Sequence, residues 1–542
     1  MSDPRPPAEK KRRGCLARVL RVAVIAALIV LIPSCGALRY LMHGPHRDYA
    51  LDFVRVGDAA PGPLQAGFAA VDITPDPAVF ETWTDFDGDA RYNPDEGDFF
   101  VDRNGDGRFD AVWIGGFHMN RPAQGVNDPL GVRAVALRNN GVTVVLASVD
   151  SVGLFHDVVI TARKRLDPAL NIDHLVVSST HTHQAPDTMG IWSNGILRRD
   201  YDKDYVARVC AAIAAAAESA VRDLGPVSLR CAAVDVPIDG FVRDSRMPHV
   251  YDNPLCAMQF TDPASGKTRA TLVSWGNHPE AMGSRNLLLS SDFAHYLREA
   301  MEDGLPGPRS LDGFGGLCLY FQGNLGGLMT PLGVSTPDSR GDAVFEKDGI
   351  DKARALGENV ARIAADALRA PDAFELADPA VAVAAKTFLV RFEGLYRCAV
   401  MLGLLHPGYY WGSRAKTEVN VVRIGDVEIL TAPGELYPEI ADGGVEAPEG
   451  RDFNIAPVET PPLRAERMQG RMRIMFNLAN DEVGYIIPKS QWDVRAPFTY
   501  GRDRSPYGEE NSGGPEIAPE YHRQAADLLR RMHEALPAVA TP

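Results

Sequence analysis

Leu175-Val176-Val177-Ser178-Ser179-Thr180-His181-Thr182-His183 is an apolar run of strand character that ends in two histidines. The same arrangement recurs three more times. Thr271-Leu272-Val273-Ser274-Trp275 runs into Gly276-Asn277-His278-Pro279-Glu280. Val427-Glu428-Ile429-Leu430 runs into Thr431-Ala432-Pro433-Gly434-Glu435. Met475-Phe476 runs into Asn477-Leu478-Ala479-Asn480, with Tyr485 shortly after. Strands of an α/β sheet deliver functional groups at their carboxyl ends. Two imidazoles, a carboxylate and a phenol meeting there could hold a zinc ion. The fold this predicts is mixed α/β: a β-sheet core flanked by helices, with a metal site at the strand carboxyl ends.

The surrounding sequence supports that class. Gly67–Pro75 alternates and then breaks at proline, as an opening strand does. Val142–Val149 reads as a buried strand, Tyr205–Leu224 as an alanine-rich helix and Val227–Val234 as a strand. Asp292–Glu302 reads as a helix, Leu317–Phe321 as a short strand and Ala353–Ala370 as a helix. Val419–Ile424 and Val427–Leu430 flank Gly425-Asp426, a two-residue hairpin signal. Tyr521–Leu536 reads as a closing helix, and residues 441–464, rich in Pro and Glu, as a surface loop. Strand runs alternating with helical ones indicate α/β or α+β architecture. The expected organisation is an N-terminal membrane anchor or signal segment over residues 1–40, a Pro/Gly-punctuated linker over 41–65, and one domain over 66–540 with an acidic insert at 85–113.

The 542 residues carry a formal charge of −15. The first 21 hold seven basic side chains against Asp3 and Glu9, so the remainder stands at −20. Such a body repels nucleic acid, which is excluded as a partner. Lys10-Lys11-Arg12-Arg13 precede the apolar run Val22–Ile32, which reaches about Leu38. That length lies between a signal peptide and a spanning helix of ~20 residues. The basic cluster should stay cytoplasmic, so the body is expected outside the cytoplasm, membrane-anchored or secreted. Seven scattered cysteines without C-x-x-C spacing argue against a disulfide framework and a cysteine zinc site.

On extended backbone, His181 and His183 would face the same side. Taken with the other blocks, the chain resembles the neutral/alkaline, non-lysosomal ceramidase family in its N-terminal catalytic domain. The resembling residues are Gly67–Pro75, Ser178–His183, Gly276-Asn277-His278-Pro279 with Ser291-Asp292, Gln322–Gly326, Pro433-Gly434-Glu435 and the tyrosine after Asn480. The resemblance implies a zinc amidase that cuts the N-acyl bond of ceramide or a related lipid-like amide. It implies His181, His278, Glu435 and Tyr485 as metal ligands, with His183 beside them as proton carrier. Tyr437 is a rival to Tyr485, though close to Glu435 in sequence. Zinc would lower the pKa of water toward ~7 and polarise the scissile carbonyl.

The sequence departs from the family at Gln184-Ala185-Pro186-Asp187 and at Gly327–Pro331, positions that flank the family's pocket. The substrate therefore need not be ceramide. The chain ends soon after its closing helix, so the β-sandwich domain that follows in some members is not expected.

Arg243 is a candidate catalytic clamp for an anion or carbonyl; the alternative is an ordinary salt bridge, for instance to Asp244. Asp150, at the end of Val142–Val149, either steadies a ligand histidine or caps the strand. Within the insert, Asp85, Asp87, Asp89, Asn93 and Glu96 fall at positions 1, 3, 5, 9 and 12 of a calcium loop, with Ala90 in place of the glycine at position 6. Asp102, Asn104, Asp106, Gly107 and Asp110 repeat the start, with Trp113 in place of the final glutamate. Ca2+ is thus a second candidate cofactor, alongside solvated acidic turns. Three functions are consistent with these residues: a zinc-dependent N-acyl amidase with a small lipid-like substrate; a zinc hydrolase of another amide or an ester; and a non-catalytic, calcium-stabilised surface binding protein.

Overall fold

A computed structural model describes residues 21–22, 24–34, 46–78, 80–193, 202–401, 405, 409–410 and 413–536. Three five-strand paths organise it. The first runs His174–Ser179, Val142–Val149, Gly131–Asn139, Gln65–Asp72, Gly225–Pro226. The second runs Leu317–Gln322, Thr268–Trp275, Pro254–Thr261, Ser228–Asp235, Phe374–Leu376. The third runs Asp52–Val56, Val381–Arg391, Arg414–Ile424, Val427–Thr431, Met472–Phe476, with Tyr409–Tyr410 added beside Arg414–Ile424.

Each sheet is antiparallel except for one parallel pair at an edge. Val142–Val149 pairs in parallel with His174–Ser179, Thr268–Trp275 with Leu317–Gln322, and Val427–Thr431 with Met472–Phe476. Parallel neighbours need a crossover, usually helical. The helix His156–Arg163 supplies it in the first sheet and Phe293–Asp303 in the second. The short helix Pro438–Asp442 lies within the third crossover.

The packing explains the apolar runs. Val142, Val144 and Leu146 face a core shared by all three sheets, with Met258, Leu272 and Phe321 of the second and Val422, Ile429 and Phe476 of the third. Alternate residues Val145, Ala147 and Val149 face the helix Lys203–Arg222. A strand covered on both faces reads as a near-continuous apolar run, hence Val-Thr-Val-Val-Leu-Ala-Ser-Val. Phe293–Asp303 and Ile350–Arg369 cover the outer face of the second sheet, and Ile517–Ala535 that of the third.

The expected mixed α/β class is what the chain adopts, with three sheets around one core. The expected linker over 41–65 is corrected in part. Asp52–Val56 is an edge strand, Asp52 opposite Lys386 and Val56 opposite Ala382. Its alternating Asp-Phe-Val-Arg-Val was hidden by the glycines and prolines that follow. Much of the 1–40 segment lies outside the described residues. Arg21, Val22 and Val24–Ser34 are helical, with exposed apolar side chains such as Val22, Ile29 and Ile32. No helix among the described residues is long and apolar enough to cross a membrane.

Candidate metal centre and cavities

The three parallel edges meet, and the loops leaving their carboxyl ends are stitched together. Asn477 N donates to Gln322 O (2.9 Å), Ser179 N to Leu478 O (3.1 Å) and Asn480 N to Val177 O (2.7 Å). Asn477 donates from Nδ2 to Asn324 Oδ1 (2.8 Å) and accepts from Leu436 N (2.7 Å). The backbone bends sharply at this junction: His181 (φ 66), Leu478 (φ 46) and Asn480 (φ 64) all take left-handed values, uncommon away from glycine.

The histidines converge. His181, His183 and His278 each offer a ring nitrogen within 4.8 Å of the others. Each Nδ1 faces an oxygen: Val152 O at 2.5 Å for His181, Glu280 Oε2 at 3.2 Å for His183 and Met329 O at 2.6 Å for His278. With Nδ1 carrying the proton, each ring in its neutral form presents a lone pair at Nε2. Those lone pairs face one another or a carboxylate. His183 Nε2 lies 3.3 Å from His181 Nε2, and His278 Nε2 lies 3.0 Å from Glu435 Oε2. His181 Nε2 is 3.7 Å from Glu435 Oε1. Buried lone pairs aimed at each other are costly without a cation or proton between them, and outward Nδ1–H bonds to carbonyls and a carboxylate are how metal-ligating histidines are oriented.

Tyr485 joins through backbone register. Glu435 and Tyr485 are direct partners in a short parallel bridge, and both line the same cavity. Tyr437, the rival, is buried elsewhere, with the Arg246 guanidinium 5.0 Å over its ring. Two donor sets therefore overlap: the three imidazoles, and His181, His278, Glu435 and Tyr485. Both consist of the nitrogen and oxygen donors that a zinc ion takes.

The electrostatics match. Burial drives the His181 imidazole down to about 3 and lowers His183. Burial acts the same way on His278, but the hydrogen bond and charge of Glu435 outweigh it and raise that group. Burial opposes ionisation of Glu435, yet His181 and His278 hold its carboxyl below the usual range.

Sequence reasoning missed four contributors. Glu280 stands in the quoted stretch but went unassigned; it joins His183 Nδ1 to the Thr330 hydroxyl. Arg121 is fully buried and donates to the His183 carbonyl and to Gly115 O (2.8 Å). Gly116, at φ 109, leaves room for His183: a Cβ there would stand 2.4 Å from His183 Cγ. The Val152 carbonyl orients His181 where Asp150 was a candidate. Asp150 instead pairs with Arg298 (3.1 Å to each oxygen) and accepts from Gly131 N, the strand-end alternative. Only Arg121 and Glu280, charged residues near apolar or histidine-bearing stretches, carried any signal in the sequence.

Two cavities open from the centre. One, of about 320 Å³, reaches His181, His183, Glu435 and Tyr485 between apolar walls that include Val152, Phe155, Met189, Ile191, Trp192 and Leu405. Asp187, one of the residues that depart from the family pattern, shapes this wall by accepting from the backbone N–H groups of Met189, Gly190, Trp192 and Ser193. The other, of about 370 Å³, sets His118, Arg243, Ser245, Ser284 and Thr330 among Phe117, Leu328 and Leu332 in its walls. Both include Gly116, Phe117, His183, Tyr485 and Tyr507. Arg243 thus reaches a cavity, and it makes no ion pair among the described residues; Asp244 accepts from Arg246 N and Val250 N instead.

The acidic insert lies apart from these cavities' linings. Asp85, Asp87 and Asp89 bring carboxylate oxygens within 4.8 Å of one another. Ala90 takes φ 65, the left-handed value a glycine would supply. Glu96 sits exposed on a 3-10 turn outside that group, and Asp98, buried, closes the loop by accepting from Phe86 N and Asn93 N. In the second loop Asp102 accepts from Gly105 N and Gly107 N, Asp106 accepts from Arg108 N, and Asn104 Nδ2 donates to Asp110.

A mixed α/β fold built on three sheets, with a histidine–carboxylate–phenol centre at the junction of their parallel edges, defines the class. Among solved structures, that fold is the one of neutral ceramidase. The crystal structure of neutral ceramidase from Pseudomonas aeruginosa superposes with a TM-score of 0.61 at 16% identity, over 89% of this chain and 76% of that one. A ceramidase complexed with C2 superposes with a TM-score of 0.59, also at 16% identity, over 89% and 77%. No protein-family model matches the sequence, and no curated protein matches it.

Proposed function

We propose that the chain is a zinc-dependent hydrolase of N-acyl amides with an apolar acyl group. The observation that carries this is the meeting of two cavities, one of them walled by a run of apolar side chains, at the ring nitrogens of His181, His183 and His278. The neutral ceramidase fold adds support. His181, His278, Glu435 and Tyr485 would hold the ion, which supplies Lewis-acid polarisation of a carbonyl and an acidic water at neutral pH.

The chain's own groups do the rest. The apolar cavity takes the acyl chain, which sets the amide at the junction beside His183 and Tyr485. Val152 O and Met329 O fix the two ligand rings. Glu280 holds the proton on His183 Nδ1, so Nε2 is the basic atom; it takes a proton from the attacking water and returns it to the leaving nitrogen. The Tyr485 hydroxyl donates toward the oxygen on which charge develops. The acyl C–N bond breaks, a C–O bond forms, and a carboxylic acid and an amine result. The basic N-terminus followed by an apolar run supports export, with this domain tethered outside the cytoplasm.

The test is metal content and amide turnover together. Purified protein is expected to carry zinc and to release fatty acid from an N-acyl amide, and to lose both on His181→Ala. His183→Ala is expected to keep the zinc and lose turnover. Protein that is folded and zinc-free after zinc supplementation would overturn the proposal.

A further inference from the structure

We infer that the amine half of the substrate is anionic: the substrate class is an N-acyl amino acid, its acyl chain in the apolar cavity and its carboxylate on Arg243. This rests on the amide hydrolysis proposed above and specifies which amide.

An amide at the junction sends its two halves into different spaces. The apolar one suits the acyl chain. The other holds the Arg243 guanidinium, with Ser245, Ser284 and Thr330, among Phe117, Leu328 and Leu332. Arg243 is fixed rather than loose. Its backbone pairs with Thr330 in a two-residue antiparallel ladder, and its Nε donates to Leu332 O at 2.6 Å. That bond uses one edge of the guanidinium and leaves the two Nη groups with no carboxylate partner among the described residues. Gly333, at φ 70, lies against the guanidinium; a Cβ there would sit 3.5 Å from its Cζ. The cavity's own carboxylate does not compete. Glu280 is buried and engaged by His183 and Thr330, whereas Arg243 is exposed.

The charge context sharpens the point. In a chain of net charge −15, carboxylates are in excess, and arginines such as Arg163, Arg246, Arg298 and Arg464 are each paired with one. An arginine held by a carbonyl at a cavity wall, without such a partner, presents the planar fork that binds a carboxylate through paired N–H donors. A neutral amine half would leave that fork unused. Hydrolysis adds water across the acyl C–N bond and yields a fatty acid and a free amino acid, with no further reactant.

The experiment compares zinc-loaded wild type on N-dodecanoylglycine, N-dodecanoylglutamate and the neutral N-dodecanoylethanolamine. At least one acidic amide is expected to exceed the ethanolamide in kcat/KM by about tenfold or more, the size of one charge-assisted hydrogen-bonded contact. Arg243→Gln should bring the ratio toward one, chiefly through KM of the acidic substrate; Arg243→Lys should restore part of it, and Arg243→Glu should invert it. Melting temperature and zinc content identify any variant that merely misfolds. Equal or better turnover of the ethanolamide by wild type, or an unchanged ratio in Arg243→Gln, overturns the inference and leaves amide hydrolysis standing. Turnover of none of the three overturns both.

Discussion

At the scale of single residues, Glu280 is the informative one. It sits two positions beyond His278 and touches neither that ring nor the metal-facing side of His183; it touches Nδ1, on the far side. Its effect on chemistry is therefore indirect, through which nitrogen of His183 carries the proton. Glu280→Gln keeps an acceptor oxygen but removes the charge. Partners of this kind typically matter by 10–100-fold, so kcat/KM on an N-acyl amide is expected to fall by about that factor. Zinc content and melting temperature should barely change, which separates orientation from collapse. The sequence pointed to the four residues expected as metal ligands because each follows an apolar run. It did not show Glu280, Arg121 or Gly116, whose importance is a matter of contact with His183 and leaves no periodic trace.

Among elements, the loops at the carboxyl ends behave as one body. Asn477 is their common fastener: its backbone reaches the second sheet, and its side chain reaches the loops of Asn324 and Leu436. Asn477→Ala would strand Leu436 N and Asn324 Oδ1 in a buried setting. The expected loss is roughly 1–3 kcal/mol of stability, read by denaturant unfolding. Because Leu436 adjoins Glu435, zinc affinity should weaken as well; unchanged affinity alongside lost stability would separate the two loops' roles.

Element boundaries were legible where both faces of a strand are covered. Val142–Val149 is found at the expected residues because a doubly buried strand has no polar alternation to blur its ends. Asp52–Val56 was not legible, since a short edge strand half open to solvent carries few apolar residues. The helix His156–Arg163 was equally hidden. It starts with His-Asp and buries His156 against Asn480 O, so part of its inner face is polar.

For the whole molecule, the interior holds acids that burial keeps protonated. Asp481 is pushed up to about 8 and Glu439 to about 7, in each case mainly by burial. Unfolded, such groups titrate near ~4. Between those values the folded chain holds protons that the unfolded chain has released, so this part of the stability is complete below about pH 4 and is lost as pH rises through 7 to 8. The melting temperature is expected to be lower at pH 9 than at pH 6. Asp481→Asn keeps the Oδ1 that accepts from His156 N and Glu482 N, and should flatten that dependence. A melting temperature that climbs from pH 6 to pH 9 would contradict the burial of these acids.

The three-sheet junction has a consequence for the life of the polypeptide. Its donors run from residue 181 to residue 485 and hang from strands of all three sheets. A nascent chain stalled on the ribosome short of Tyr485, or one clipped between sheets, lacks part of the set formed by His181, His278, Glu435 and Tyr485. Under the proposed function, turnover therefore waits for a finished molecule, and truncated products stay chemically silent from the outset.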